Sequence, residues 1–123
     1  MDKNKTILII DDMEENIDLL ERLLDKQGYK THTAKDAAKG LHLLKDNSFD
    51  LVLLDINMPV IDGITLLENI RKDSSLSNVA VIMVTAQDDA ETTLKCLKLG
   101  ACGYITKPFN MDQLQKQINH CIN

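Results

Sequence analysis

Five residues stand where short apolar runs give out. Asp11 and Asp12 follow Thr6 to Ile10, Asp55 follows Leu51 to Leu54, Thr85 follows Val79 to Val84, and Lys107 follows Gly103 to Thr106. If those runs are neighbouring strands, three carboxylates, a hydroxyl and an ammonium gather at one edge of a sheet. Two unit charges about 5 Å apart repel by on the order of 3 kcal/mol at an effective dielectric near ~20. A chain does not collect such charges without compensation, and the compensators at hand are Lys107 and a divalent cation. All-oxygen ligands, with no His or Cys at the end of a run, favour Mg²⁺ or Mn²⁺ over zinc. Magnesium takes few carboxylates and completes its shell with water and phosphate oxygens, so the pattern points to phosphoryl transfer. A carboxylate can be the nucleophile of such a transfer, giving an acyl phosphate. The reaction asks mainly for positioning and charge neutralisation. Asp55, which leaves a run central in the sequence, is the candidate acceptor.

The elements that must position these groups are legible in the periodicity. Thr6 to Ile10, Leu51 to Leu54 and Val79 to Val84 read as solid apolar strands buried on both faces. Lys30 to Ala34 alternates weakly, as a strand nearer an edge does, and Gly103 to Thr106 makes a short last strand. Between them lie helical stripes: Ile17, Leu20, Leu23 and Leu24 up to Gly28; Ala37, Ala38, Leu41 and Leu44; Ile64, Leu67 and Ile70; and Thr93, Cys96 and Leu97 up to Gly100. Asn110 with Gln113 predicts a capping box opening a final helix that buries Leu114, Ile118 and Cys121. Five strands alternating with five helices imply βαβ units, hence an α/β fold with a doubly wound parallel sheet. In such sheets the ligand site lies off the carboxyl ends of the strands, where the five residues stand.

Composition bounds the function classes. The 123 residues make one domain, spanning 1–123, with 44% apolar residues and no repeat, low-complexity tract or linker. The net charge of −5 argues against a general nucleic-acid or anionic-membrane binder. No apolar run approaches the ~20 residues of a membrane span, and the N-terminus lacks a signal-peptide core, so a cytoplasmic location is expected. Cys96, Cys102 and Cys121 are odd in number without close pairing, and read as small buried residues rather than a disulfide or zinc site. His32, His42 and His120 are scattered and read as surface residues, as do Lys95 and Lys98 on a solvated helical face.

The ordered set Asp11-Asp12, Asp55-Ile56-Asn57-Met58-Pro59 with Asp62-Gly63, Thr85-Ala86 and Thr106-Lys107-Pro108-Phe109 resembles the receiver domain of a two-component response regulator, over essentially the whole chain. The resemblance implies a CheY-like, flavodoxin-like fold with strand order 2-1-3-4-5. It implies that Asp55 takes a phosphoryl group from a sensor histidine kinase or a histidine phosphotransfer protein. Asp12 and Asp55 would bind Mg²⁺ (or Mn²⁺) through carboxylates, Asn57 through its backbone carbonyl, and Asp11 mostly through water. Lys107 would pair with the acids and then the phosphate. Thr85 would turn its hydroxyl toward the phosphate and Tyr104 would move inward, biasing the face made by the fourth helix, last strand and last helix toward an effector or a second copy of the chain. The Lys107-Pro108 bond is usually cis in such domains. Asn57 and Gln87 occupy the positions that tune phosphate hydrolysis, and two neutral amides there imply an intermediate or fast autophosphatase. Where relatives often carry an acidic pair before the switch tyrosine, this chain has Ala101-Cys102-Gly103.

Plainer readings stand beside these. Asp11 and Asp12 are also favoured helix N-caps, although capping needs only one acid. Asp55 suits a turn, Thr85 an ordinary strand, and Tyr104 is either a working switch or a static half-buried ring. Two other functions compete with the signalling switch. One is a Mg²⁺-dependent phosphohydrolase resembling the haloacid-dehalogenase group, which wants a second Asp where Asn57 stands, and a cap domain. The other is an idle receiver serving as a binding module. No output domain follows the last helix in these 123 residues, which fits both a stand-alone switch and a piece of a longer regulator or hybrid kinase.

Overall fold

Residues 4–122 are described by a computed structural model. The elements run β1 (Thr6–Ile10), α1 (Glu14–Lys26), β2 (Lys30–Ala34), α2 (Ala37–Asp46), β3 (Leu51–Leu54), α3 (Gly63–Lys72), β4 (Ala80–Thr85), α4 (Ala90–Lys98), β5 (Gly103–Thr106) and α5 (Met111–Ile122). All five strands are parallel, in the order β2-β1-β3-β4-β5. This is the doubly wound sheet the periodicity predicts.

Alternation along each strand divides the interior into two layers. Ile7 and Ile9 of β1, Leu51 and Leu53 of β3, and Ile82 and Val84 of β4 pack against Ile17, Leu20 and Leu24 of α1 and Leu114 and Ile118 of α5. Leu8, Ile10, Val52, Leu54, Val81 and Met83 face the other way, toward α2, α3 and Cys96 of α4. Because β1, β3 and β4 are covered on both faces, they carry no polar alternation. β2 and β5 lie at the edges and do.

Helix ends follow the chemistry of their residues. Asp36, Asp62 and Asp89 cap α2, α3 and α4, accepting from Lys39, Thr65 and Thr92 N–H groups at 2.7, 2.8 and 2.9 Å. Asn110 and Gln113 exchange the two bonds of a capping box at the start of α5. Gly28 and Gly100 follow α1 and α4 with φ of 90° and 92°, the left-handed conformation that closes a helix. None of the described helices is long and apolar enough to cross a membrane.

Three expectations need correction. In α2 the buried stripe is Ala37, Gly40 and Leu44, while Ala38 is exposed. In α4 only Cys96 is buried, and Leu97 lies in solvent, because this short helix rests on the edge strand β5 and has no second element to cover it. Cys102 and Cys121, expected to be unpaired, form a disulfide with Cα atoms 5.8 Å apart, and only Cys96 stays free. Their separation of 19 residues carries no signal by itself. The packing of α5 on β5 brings them together.

Candidate functional site

The sheet itself holds the site. Backbone pairing runs one residue past the strand ends: Asp11 N–H donates to Ala34 O at 3.1 Å, Asp55 N–H to Ile10 O at 3.0 Å, and Lys107 N–H to Thr85 O at 2.8 Å. Three side chains therefore leave a rigid rim rather than mobile loops. The Lys107-Pro108 bond is cis, as the resemblance implies.

At that rim Asp11, Asp12 and Asp55 bring carboxylate oxygens within 4.8 Å of one another. Asp11 and Asp55 are 2% and 5% exposed. The Lys107 ammonium bridges them, donating to Asp11 Oδ2 at 2.8 Å and to Asp55 Oδ2 at 3.1 Å. Burial works against the lysine charge and is the largest single influence on it. The hydrogen bonds and charges of Asp11 and Asp55 together outweigh that burial, so its pKa is raised. Backbone N–H groups take the other oxygens: Met13 N–H donates to Asp11 Oδ1 at 2.9 Å, and Asn57 N–H to Asp55 Oδ1 at 3.2 Å. Among the described residues nothing donates to or pairs with the Asp12 carboxylate. One ammonium thus faces three carboxylates, which leaves an excess of negative charge able to hold a hard cation.

The acids are not spent on capping. α1 begins after Met13 with no side-chain cap, although α2, α3 and α4 each use an Asp for that purpose. That contrast removes the plain reading of Asp11 and Asp12 as caps.

Two residues between Asp55 and the body of α3, Gly63 at the helix start and Val60 in the loop, have constraints that a turn reading hides. A Cβ on Gly63 would lie 2.0 Å from the Asp55 carbonyl oxygen, so only glycine lets the first turn of α3 close behind the candidate acceptor. Gly63 N–H also donates to Ile56 O at 2.8 Å. Val60 sits at φ 71° with its side chain fully in solvent. A β-branched residue in that region costs roughly 1–2 kcal/mol.

Thr85 is fully buried at the end of β4, and the structure joins it to Tyr104 through one residue. Gln87 N–H donates to Thr85 Oγ1 at 3.4 Å, and the Tyr104 hydroxyl donates to Gln87 O at 2.6 Å. The Tyr104 ring is half-buried against the α2–α4 layer, and burial pushes its phenol pKa up. The Gln87 amide reaches Thr92 Oγ1 at 3.5 Å, in the first turn of α4. Spacing along the chain gives no sign of this bridge, because it is made by backbone groups of a loop. His32, His42 and His120 are exposed and lie apart from the pocket, as expected.

A 2-1-3-4-5 parallel sheet with acids and a lysine at the carboxyl ends of its strands is the architecture of CheY-like receivers. The chain belongs to the response regulator receiver domain family, which matches residues 7–119, and so to the proteins of two-component signalling. It is 38% identical over 120 residues to the chemotaxis protein CheY-3 of Vibrio cholerae, covering 97% of this chain and 92% of that protein. It is 40% identical over 108 residues to the regulatory protein AtoC of Escherichia coli, covering 88% of this chain and 23% of AtoC. The solved CheY-like response regulator receiver domain protein from Methanospirillum hungatei matches with a TM-score of 0.86 at 34% identity, over 94% of this chain and 91% of that one.

Proposed function

We propose that residues 1–123 act as one receiver switch in which Asp55 accepts a phosphoryl group from a phosphohistidine on a sensor histidine kinase or phosphotransfer protein. The observation that carries this reading is the Lys107 ammonium shared between Asp11 and Asp55 on a buried rim of three carboxylates. An Asp55 oxygen forms the new bond to phosphorus while the phosphorus–nitrogen bond of the donor breaks, and the imidazole leaves with the electron pair. Lys107 exchanges its bond to Asp55 for one to the incoming phosphoryl oxygens, following the negative charge. Asp11, Asp12 and Asp55, with the backbone carbonyl of Asn57, are an oxygen set suited to Mg²⁺, with Mn²⁺ as a substitute. A divalent ion bound there supplies charge neutralisation that the single ammonium leaves incomplete.

The Thr85–Gln87–Tyr104 bridge gives the phosphorylated state a route outward. A Thr85 hydroxyl that turns to the phosphoryl group releases Gln87 N–H, which shifts the carbonyl that Tyr104 holds. The face made by α4, β5 and α5 carries exposed Leu94 and Leu97 with Lys95 and Lys98, a surface for an effector or for pairing of two phosphorylated copies. Hydrolysis is expected to limit the lifetime of the acyl phosphate to well under many hours, since Asn57 and Gln87 are neutral amides near the site.

Incubation with acetyl phosphate and Mg²⁺, followed by intact mass, tests the reading. One labile phosphate is expected on the wild type, and none on Asp55→Asn or without the metal. No adduct on the wild type would leave a binding module with an idle pocket.

A further inference from the structure

We propose that Cys102 and Cys121 are a reversible dithiol–disulfide pair, a redox-modification site that fastens the start of β5 to the end of α5. The inference concerns the end of the sheet opposite the acidic pocket and does not depend on phosphorylation of Asp55.

The fold brings the two sulfurs together whether or not they are bonded. Cys102 N–H donates to Val81 O at 2.9 Å, which extends the β4–β5 pairing by one residue and fixes Cys102 on the sheet. Cys121 lies in the last turn of α5, which is anchored by the buried Leu114 and Ile118. The Cα separation of 5.8 Å falls in the range that a bridge requires. The reduced form is also provided for. The Cys102 sulfur lies 3.4 Å from the Val81 carbonyl oxygen, where a thiol S–H donates and a disulfide sulfur, lacking a proton, does not. Opening the bridge therefore leaves no orphaned buried donor at Cys102.

Access and selectivity separate this pair from the third cysteine. Both residues are half-buried, and Cys102 lines an open groove of about 440 Å³ with Tyr104, Lys116 and His120. Cys96 is fully buried and burial pushes its thiol pKa up, which makes it inert.

The partner reactant is a low-molecular-weight disulfide of the glutathione class. The Cys102 thiolate attacks one of its sulfurs, its S–S bond breaks, and one thiolate leaves and takes up a proton. The Cys121 thiolate then attacks the Cys102 sulfur of the mixed disulfide and expels the second thiolate, which is protonated in turn. Two protein thiols are oxidised, one small disulfide is reduced to two thiols, and both protons end on the released thiols. The closed loop contains all of β5, with Tyr104 and Lys107, so oxidation restrains the strand and helix of the face described above.

The test equilibrates the folded, full chain with graded ratios of oxidised to reduced glutathione, traps free thiols by alkylation, and reads intact mass and a peptide map. The expected result is a reversible transition between three free thiols and a single Cys102–Cys121 bridge, with Cys96 free throughout. The oxidised form should melt on the order of 10 °C higher than the reduced one. Cys102→Ser and Cys121→Ser should each abolish the transition and make melting indifferent to the ratio. The proposal is overturned by a bridge that opens only in denaturant, by thiols free at every ratio, or by oxidation or a lasting glutathione adduct elsewhere. The wild-type mass data decide the matter even if a serine variant fails to fold.

Discussion

Asp11 and Asp55 share one ammonium, and that sharing sets what single substitutions at the rim should do. Lys107→Ala leaves two buried carboxylates uncompensated and is expected to cost about 3 kcal/mol in urea unfolding at neutral pH. The pH dependence follows from the raised pKa of Lys107. A group whose pKa rises on folding contributes its full stability below the unfolded value and loses it as pH climbs through the folded one. Wild-type stability should therefore fall at strongly alkaline pH with a component that Lys107→Ala lacks. Parallel limbs in the two proteins would show that the lysine contributes no such term. Val60 tests the opposite sign. Asn tolerates φ near 71° far better than a β-branched side chain does, so Val60→Asn is expected to stabilise by about 0.5–1 kcal/mol. An unchanged or lower urea midpoint would mean that the loop relaxes without cost.

Two junctions between elements decide where the site sits. Gly63 lets α3 start against the Asp55 carbonyl, and Gly63→Ala is expected to cost more than about 2 kcal/mol and to lower phosphorylation of Asp55. Unchanged stability would mean that the first turn of α3 withdraws freely. Arg71, at the end of α3, donates to the carbonyls of Leu99, Ser77, Val79 and Gly100, tying two loops together. Arg71→Lys keeps the charge but loses the fork, and should cost about 2 kcal/mol. These junctions also mark the limit of what the sequence discloses. Solid runs at β1, β3 and β4 and the capping box of α5 are local signals, so these elements and the strand-end residues were legible. The Asp caps of α2, α3 and α4 emerge only with the structure. Gly63 was visible only as part of a turn, since the oxygen it accommodates belongs to a residue on another element. The stripe of α4 misled because periodicity assumes a covered face, and an edge strand provides little cover. The Cys102–Cys121 contact and the Gln87 bridge arise from packing at a distance, which no spacing encodes.

Across the whole molecule, two apolar layers clamp β1, β3 and β4 so firmly that their carboxyl ends form a fixed rim, and repulsion there cannot relax by moving the backbone. Charge must instead be relieved by a cation or a substitution. The Asp12 carboxylate, which has no partner among the described residues, is the place to measure this. Differential scanning calorimetry of the wild type and Asp12→Asn, each with and without Mg²⁺, tests the point most directly. The metal-free variant should melt above the metal-free wild type, by an amount near 1 kcal/mol after discounting for solvent screening. Mg²⁺ should raise the wild type and have a much smaller effect on the variant. A metal-free variant that melts at or below the wild type, or a wild type indifferent to Mg²⁺, would contradict an acidic rim held in electrostatic tension.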